Sequence, residues 1–288
     1  MNNRDSNIDY LRGAGIILMV ATHVSAYFLS SKIGLFIWNI GEVSVFAFIF
    51  CSVYLSSKKD SSIMNFKLFW KRAKRLLVPY YIFLIFEFIR RFFMEPKTLD
   101  FDFIFKNIFL TGGLDLNWLV LLFMLMAIFV PVLLRIWQKY PKLFFSLWVG
   151  SFLASVGFLF FPFREFSRVL MIISWSFVFF TTIYFQKRAK NIENKIILLS
   201  MTLFVPLYFI FGKIGINTHQ YNHKYPPDIY HLAYGIFGLF LLRKILRFDL
   251  TRKYFGRILQ FCSLYSYEIY FIHNLLLSLF WGIYWKLK

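Results

Sequence analysis

Charge is scarce in this chain. Only 16% of its 288 residues are charged, where a soluble domain carries about a quarter. Acids are scarcer still, 14 against 33 lysines and arginines. Cysteine is nearly absent. Cys51 and Cys262 both lie beside apolar runs, which leaves no disulfide framework and no thiolate metal site. There is no low-complexity linker and no internal repeat of convincing symmetry. The short alternating segments of a membrane β-barrel are missing too.

What is present is apolar and aromatic. Hydrophobic residues make up 59% and aromatic residues 23%, with a mean hydropathy of +0.61. They come in continuous blocks long enough to cross a bilayer, which takes roughly 20 residues per helix. The expected fold is an all-α, polytopic transmembrane helical bundle of about nine spans. The blocks are 8–30, 34–56, 76–94, 116–135, 143–162, 168–186, 195–213, 228–246 and 263–286. Residues 1–288 read as a single membrane domain. The first block follows a short polar leader with no small-residue cleavage site, so it reads as a retained helix.

The net charge of +19 and pI near 9.9 would suggest nucleic acid on a soluble protein. Here they read as anchoring charge against membrane lipids, with no nucleic-acid partner. Loops 57–75, 135–142, 187–195 and 243–257 together hold twenty lysines and arginines, against eleven on the opposite set. The positive-inside rule then puts the N-terminus in the cytoplasm. Heavy use of Phe, Ile, Lys and Asn fits an AT-rich bacterial genome, and so a bacterial plasma membrane.

Ionisable residues inside apolar blocks are costly and mark function by default. In "DYLRGAGIILMVATHVSAYFL", Arg12 lies near the cytoplasmic end and His23 eleven positions on, about 16 Å along a helix. An arginine at that depth can snorkel to headgroups. His23 fits either a buried, hydrogen-bonded imidazole or a proton carrier, since imidazole titrates near neutral pH. A turn near Lys32 to Gly34 would set Glu42 at similar depth to His23. A carboxylate there needs a partner or it protonates, and a His–Glu pair would raise the imidazole's basicity. Whether the two face each other depends on helix rotation.

Three further stretches stand out. "FWKRAKRLLVPYY" sets Arg72 and Arg75 on one helical face ahead of Pro79. Guanidinium forks at that spacing suit phosphates, although ordinary anchoring charge reads the same way. "LYSYEIYFIHNLLL" places Ser266, Tyr267, Tyr270 and His273 within eight residues of an apolar helix, which fits packing as well as chemistry. His219 and His223 have an i, i+4 spacing, but Pro226 and Pro227 argue for an irregular loop. With no third ligand evident, no metal site is expected. The loop's aromatic and polar mix also suits a carbohydrate-facing surface.

In this order the pieces resemble the acyltransferase-3 family of integral-membrane acyltransferases. Arg12 and His23 match its first-helix Arg and His separated by ten residues. Arg72, Arg75 and Pro79 match its R-x-x-R element and early proline. Ser266-Tyr267-Glu268-Ile269-Tyr270-Phe271-Ile272-His273 is similar to its S-Y-x-I-Y-L-x-H element, and Asn117-Trp118-Leu119 leading to Pro131 to its Trp-Phe-Leu helix. The resemblance runs from residue 9 to about 280. Ser52 of the second-helix motif is kept, and Val53 stands where the family usually has glycine. The family usually has ten spans, so a helix after the last motif is expected to be missing.

The resemblance implies a donor, acetyl-CoA or another acyl-CoA, bound as substrate with no resident cofactor. It implies an acceptor hydroxyl on a cell-surface polysaccharide or its lipid-linked precursor. Arg12, Arg72 and Arg75 become the acyl-CoA-binding residues and His23 and Glu42 the catalytic ones. Ser266, Tyr267, Tyr270 and His273 become possible support. His23 would act as general base or as a transient acyl carrier. The rival reading is a polysaccharide exporter or flippase without acyl transfer, in which the intramembrane His and Glu relay protons. A degenerate scaffold is a third reading.

Overall fold

The structure, a computed structural model, describes residues 5–58, 66–161, 163, 166–188 and 192–287. Positions 59–65, 162, 164–165 and 189–191, which carry part of the expected loop charge, lie outside the described residues, as do 1–4 and 288. Each of the nine apolar blocks falls on a helix, and no strand occurs among the described residues. In chain order the helices are α1 (Ser6–Ser25), α2 (Lys32–Gly41), α3 (Val43–Lys58), α4 (Phe66–Met94), α5 (Phe101–Ile108) and α6 (Asn117–Lys139). There follow α7 (Pro141–Phe160), α8 (Ser167–Lys187), α9 (Ile192–Ile214), α10 (Ile229–Ile245), α11 (Asp249–Leu264) and α12 (Ser266–Leu287).

Two of these helices were not expected. α5 has only eight residues, too few for a bilayer block. α11 falls largely in a stretch read as a basic loop, because Arg252, Lys253 and Arg257 interrupt its apolar residues. Among the described residues, six helical stretches are long and apolar enough to cross a membrane, or seven if α10 and α11 form one span bent by 103°. α4 is not among them: it carries Glu87, Arg90 and Arg91 within its apolar half.

The helices cluster into two compact units, and α6 contributes to both. The first comprises Met1–Ile63 and Val130–Leu264. In it α1 packs on α2, α3 and α11, α3 packs on α8 and α10, and α9 lies on α10. Its centre is aromatic: Phe46 meets Trp175 at 4.9 Å between ring centroids and Phe50 meets Phe240 at 5.6 Å. Lipid tails are as apolar as these rings, so shape and close approach hold such helices together rather than hydrophobicity. Gly13 shows how close. A Cβ there would lie 2.0 Å from the carbonyl oxygen of Leu259, so only glycine lets α1 and α11 meet backbone to backbone.

The α1–α2 hairpin turns at Leu29 to Ser31, slightly earlier than the expected 32–34. Ser31 caps α2 by accepting a 2.9 Å hydrogen bond from the Gly34 amide. Where block 34–56 was read as one helix, the chain breaks at Glu42 into α2 and α3.

The second unit comprises Met64–Phe129 and Tyr265–Lys288. In it α4 packs on α12 through Tyr80 and Phe83 against Phe271. Buried Asn107 organises the connection to α6. It accepts from the Leu114 amide at 2.9 Å and donates to the Phe103 carbonyl at 2.8 Å. Tyr80 donates to the Asn107 carbonyl at 2.7 Å.

Candidate acyl-transfer residues

In the first unit, Arg12 and His23 ride on one unbroken helix, so about 16 Å of axial rise separates them. Arg12 is half-buried, and among the described residues no carboxylate lies within ion-pairing distance of it. His23 is half-buried in the last turn of α1, which ends at Ser25 rather than continuing to 30. A Cβ on Gly41 would lie 1.7 Å from Thr22 Oγ1, so α2 ends hard against the turn that carries His23. His23, next to Thr22, and Glu42, next to Gly41, therefore stand at one level of the helix pair.

Glu42 is 1% exposed. Its counter-ion comes from far along the chain: Lys224 Nζ lies 2.9 Å from Glu42 Oε2. Lys224 belongs to the segment between α9 and α10. That segment is tied to α2 again where the Gln220 amide donates to Asn39 Oδ1 at 3.2 Å. From α10, Tyr234 donates to the Asn39 carbonyl at 2.7 Å. Buried Gln220 Oε1 stands 3.2 Å from His231 Nδ1.

In the second unit, the basic pair and the late Ser-Tyr element meet. The Arg75 guanidinium sits 5.4 Å over the Tyr267 ring, a cation–π distance. Arg72, one turn earlier, is half-buried. Burial pushes its guanidinium below the ordinary arginine range, and Tyr267 opposes the shift. Neither arginine has a carboxylate within ion-pairing distance among the described residues. Ser266 opens α12 and is buried. Tyr270, also buried, donates to the Leu116 carbonyl at 3.3 Å. His273 Nδ1 is held 2.8 Å from the carbonyl oxygen of Ile269 in its own helix.

Other buried arginines are treated differently. Glu87, 0% exposed, is bracketed by Arg90 at 2.7 Å and Arg91 at 2.9 Å, and Arg90 also holds Glu95 at 2.9 Å. In the first unit Glu193 holds both Arg243 and Arg247. Glu87 and Glu95 balance their two arginines, while Glu193 alone faces two and offsets one of the two charges. Arg12 and Arg72 are half-buried cations with no carboxylate partner among the described residues, as is Arg252, which bonds Asn7 instead.

A family model for an acyltransferase domain matches residues 5–288, essentially the whole chain. The chain belongs to the acyltransferase-3 family. No curated protein and no solved structure gives a significant match. With its six or seven helices able to cross a membrane, the family assignment makes this a multi-pass membrane acyltransferase.

In this acyltransferase, His219 and His223 flank a short 3-10 turn rather than sharing an α-helical face. Both ring nitrogens of His223 are engaged, Nδ1 with Asp228 and Nε2 with the Asn217 carbonyl. Burial raises the Asp228 carboxyl above its usual range, and the His223 contact pulls it back. Sequence reasoning missed Lys224, Asn39, Gln220, His231 and Tyr234. The one available signal for Lys224 was a lone lysine in a loop otherwise built of aromatics, histidines and prolines. Its partner lies 182 residues earlier, beyond any periodicity argument.

Proposed function

We propose that this acyltransferase moves an acyl group, acetyl in the simplest case, from acyl-CoA to a hydroxyl of a cell-surface glycan or its lipid-linked precursor, in a bacterial plasma membrane. The observation that carries the reading is that Arg12 and Arg72, half-buried, and Arg75 have no carboxylate partner among the described residues, while Arg90, Arg91, Arg243 and Arg247 all do. Half-buried guanidinium groups favour an anionic ligand, and their forks match phosphate oxygens. Arg72 and Arg75 take the donor's phosphates. Tyr267 fixes the direction of Arg75.

His23 takes the acceptor's proton. The hydroxyl oxygen attacks the thioester carbonyl carbon, and a C–O bond forms as the C–S bond breaks. The proton passes to the His23 imidazole and from there to the departing thiolate, which leaves as the free thiol of CoA. The N-terminus faces the cytoplasm, the side on which acyl-CoA is made.

Membranes containing the full-length chain test this with radiolabelled acetyl-CoA and the host's surface glycan. Label is expected in the glycan for the wild type and at near-background level for the Arg72→Ala/Arg75→Ala pair. Glycan export that depends on the chain while no label is ever transferred would support the exporter instead.

A further inference from the structure

The segment after α9 meets the C-terminal half of α2 in a patch with two layers. The outer layer is aromatic. Trp38 of α2 packs edge-on to Tyr221 at 5.9 Å, and Tyr221 packs edge-on to Tyr225 at 5.9 Å. Tyr221 is 46% exposed. The inner layer is polar. Lys224 Nζ lies 5.5 Å over the Tyr225 ring and 2.9 Å from Glu42 Oε2, which joins the layers. Behind them Gln220 links Asn39 to His231.

Besides Glu42 Oε2, which has only its ion pair with Lys224, two buried atoms in this inner layer lack a hydrogen-bond partner. Glu42 Oε1 accepts nothing, although its residue is 1% exposed, and His231 Nε2 is unpartnered in a fully buried side chain. Leaving such groups unsatisfied costs stability, and more so for a charged carboxylate. Buried orphans of this kind call for an explanation, and an absent ligand is one. His231 is flanked by Phe46 and Trp175, at 5.3 and 6.0 Å between ring centroids. Lys224 and Glu42 alone would make a closed ion pair. The free second oxygen and the aromatic rim beside it are what an ion pair does not need.

We propose that this patch is the acceptor subsite, and that its ligand is a sugar ring with free hydroxyls. The ring's apolar face lies on Tyr221 and Trp38, and one hydroxyl donates to Glu42 Oε1. Flat aromatic rims over a buried carboxylate suit a polyol: the C–H face meets the ring, and the O–H edge meets the charge. Lys224 remains ion-paired with Oε2 of the same carboxylate. The contact of Gln220 with Asn39 parts to admit the hydroxyl. This assignment deepens the glycan-acceptor reading above and rests on it.

The test uses the purified, detergent-solubilised full chain with two soluble probes, cellotetraose and chitotetraose. Binding is measured by calorimetry for the wild type, Tyr221→Ala, Trp38→Ala and Tyr221→Phe. Acyl transfer to the same probes gives KM for acceptor and donor separately. The expected result is saturable binding of at least one probe. Its affinity falls about tenfold in each alanine variant, as the loss of an aromatic contact of about 1.4 kcal/mol would give, and is largely kept in Tyr221→Phe. Acceptor KM rises in parallel while donor KM holds.

Two results would overturn the subsite: saturable binding that the alanine variants do not weaken, and no saturable binding of either probe. An unchanged acceptor KM with a lowered unfolding temperature would make Tyr221 and Trp38 interfacial anchors only, and would also overturn it. Tyr221-dependent binding in a chain that never transfers label would uphold the subsite and overturn the acyl-transfer reading, so the two failures are distinct.

Discussion

Lys224 Nζ stands 2.9 Å from Glu42 Oε2, so the segment before α10 supplies the counter-ion for a carboxylate set in the break between α2 and α3. The pair ties together parts of the chain 182 residues apart. Breaking one side of a buried pair leaves an uncompensated charge, a loss of about 3–5 kcal/mol. Lys224→Met is therefore expected to lower the unfolding temperature of the detergent-solubilised protein clearly. Adding Glu42→Gln should recover most of that loss, because the orphaned charge goes with it. Simple additivity of the two substitutions would mean that they do not interact.

The donor side rests on the two arginines that flank Tyr267. Each charge-assisted contact to phosphate contributes about 1.5–3 kcal/mol. Arg72→Ala and Arg75→Ala are each expected to raise the donor KM by about tenfold or more, with acceptor KM little changed. Arg75→Lys should not restore it, since an ammonium lacks the fork and stacks poorly on the ring. Donor kinetics within twofold of wild type in Arg75→Lys would contradict a guanidinium-specific role.

Gly13 gives a purely structural prediction. A methyl group there would meet the Leu259 carbonyl at 2.0 Å, and backbone cannot swing aside as a side chain can. Gly13→Ala should destabilise the packing of α1 on α11 by about 1–3 kcal/mol, the usual range for overpacking. Thermal unfolding measures it. Gly212, with nothing within 4 Å of its would-be Cβ, serves as the control, and equal effects of the two alanines would contradict the close-approach argument.

Orientation can be checked by reporter fusions. The loops at 57–75 and 217–227 are expected on opposite sides of the membrane, the first in the cytoplasm. Reporters on the same side for both would refute the charge-based topology.

Much of the fold was legible because long apolar blocks leave few choices in a bilayer. α11 was not: its cations hid a helix that only the contact with α1 reveals. The break at Glu42 was less plain, since Gly41 weakens the helix there while the apolar residues on both sides read as one block. The level of Glu42 with His23 could be estimated from the turn, and Gly41 against Thr22 fixes it. That Arg75 meets Tyr267 follows from packing α4 on α12, which no local pattern encodes. Lys224 was invisible for the same reason. Local spacing reads faces of one helix, and these partners come from helices and loops far apart in sequence.

The central claim is that His23 carries the proton of the acyl transfer. The most direct measurement is label transfer from radiolabelled acetyl-CoA to the surface glycan in membranes with matched amounts of wild type and His23→Ala. Loss of a general base costs typically about 100- to 10,000-fold. The expected result is a fall of that size in His23→Ala, with the protein still folded and still binding acyl-CoA. Transfer in His23→Ala at a rate near the wild type's would contradict it.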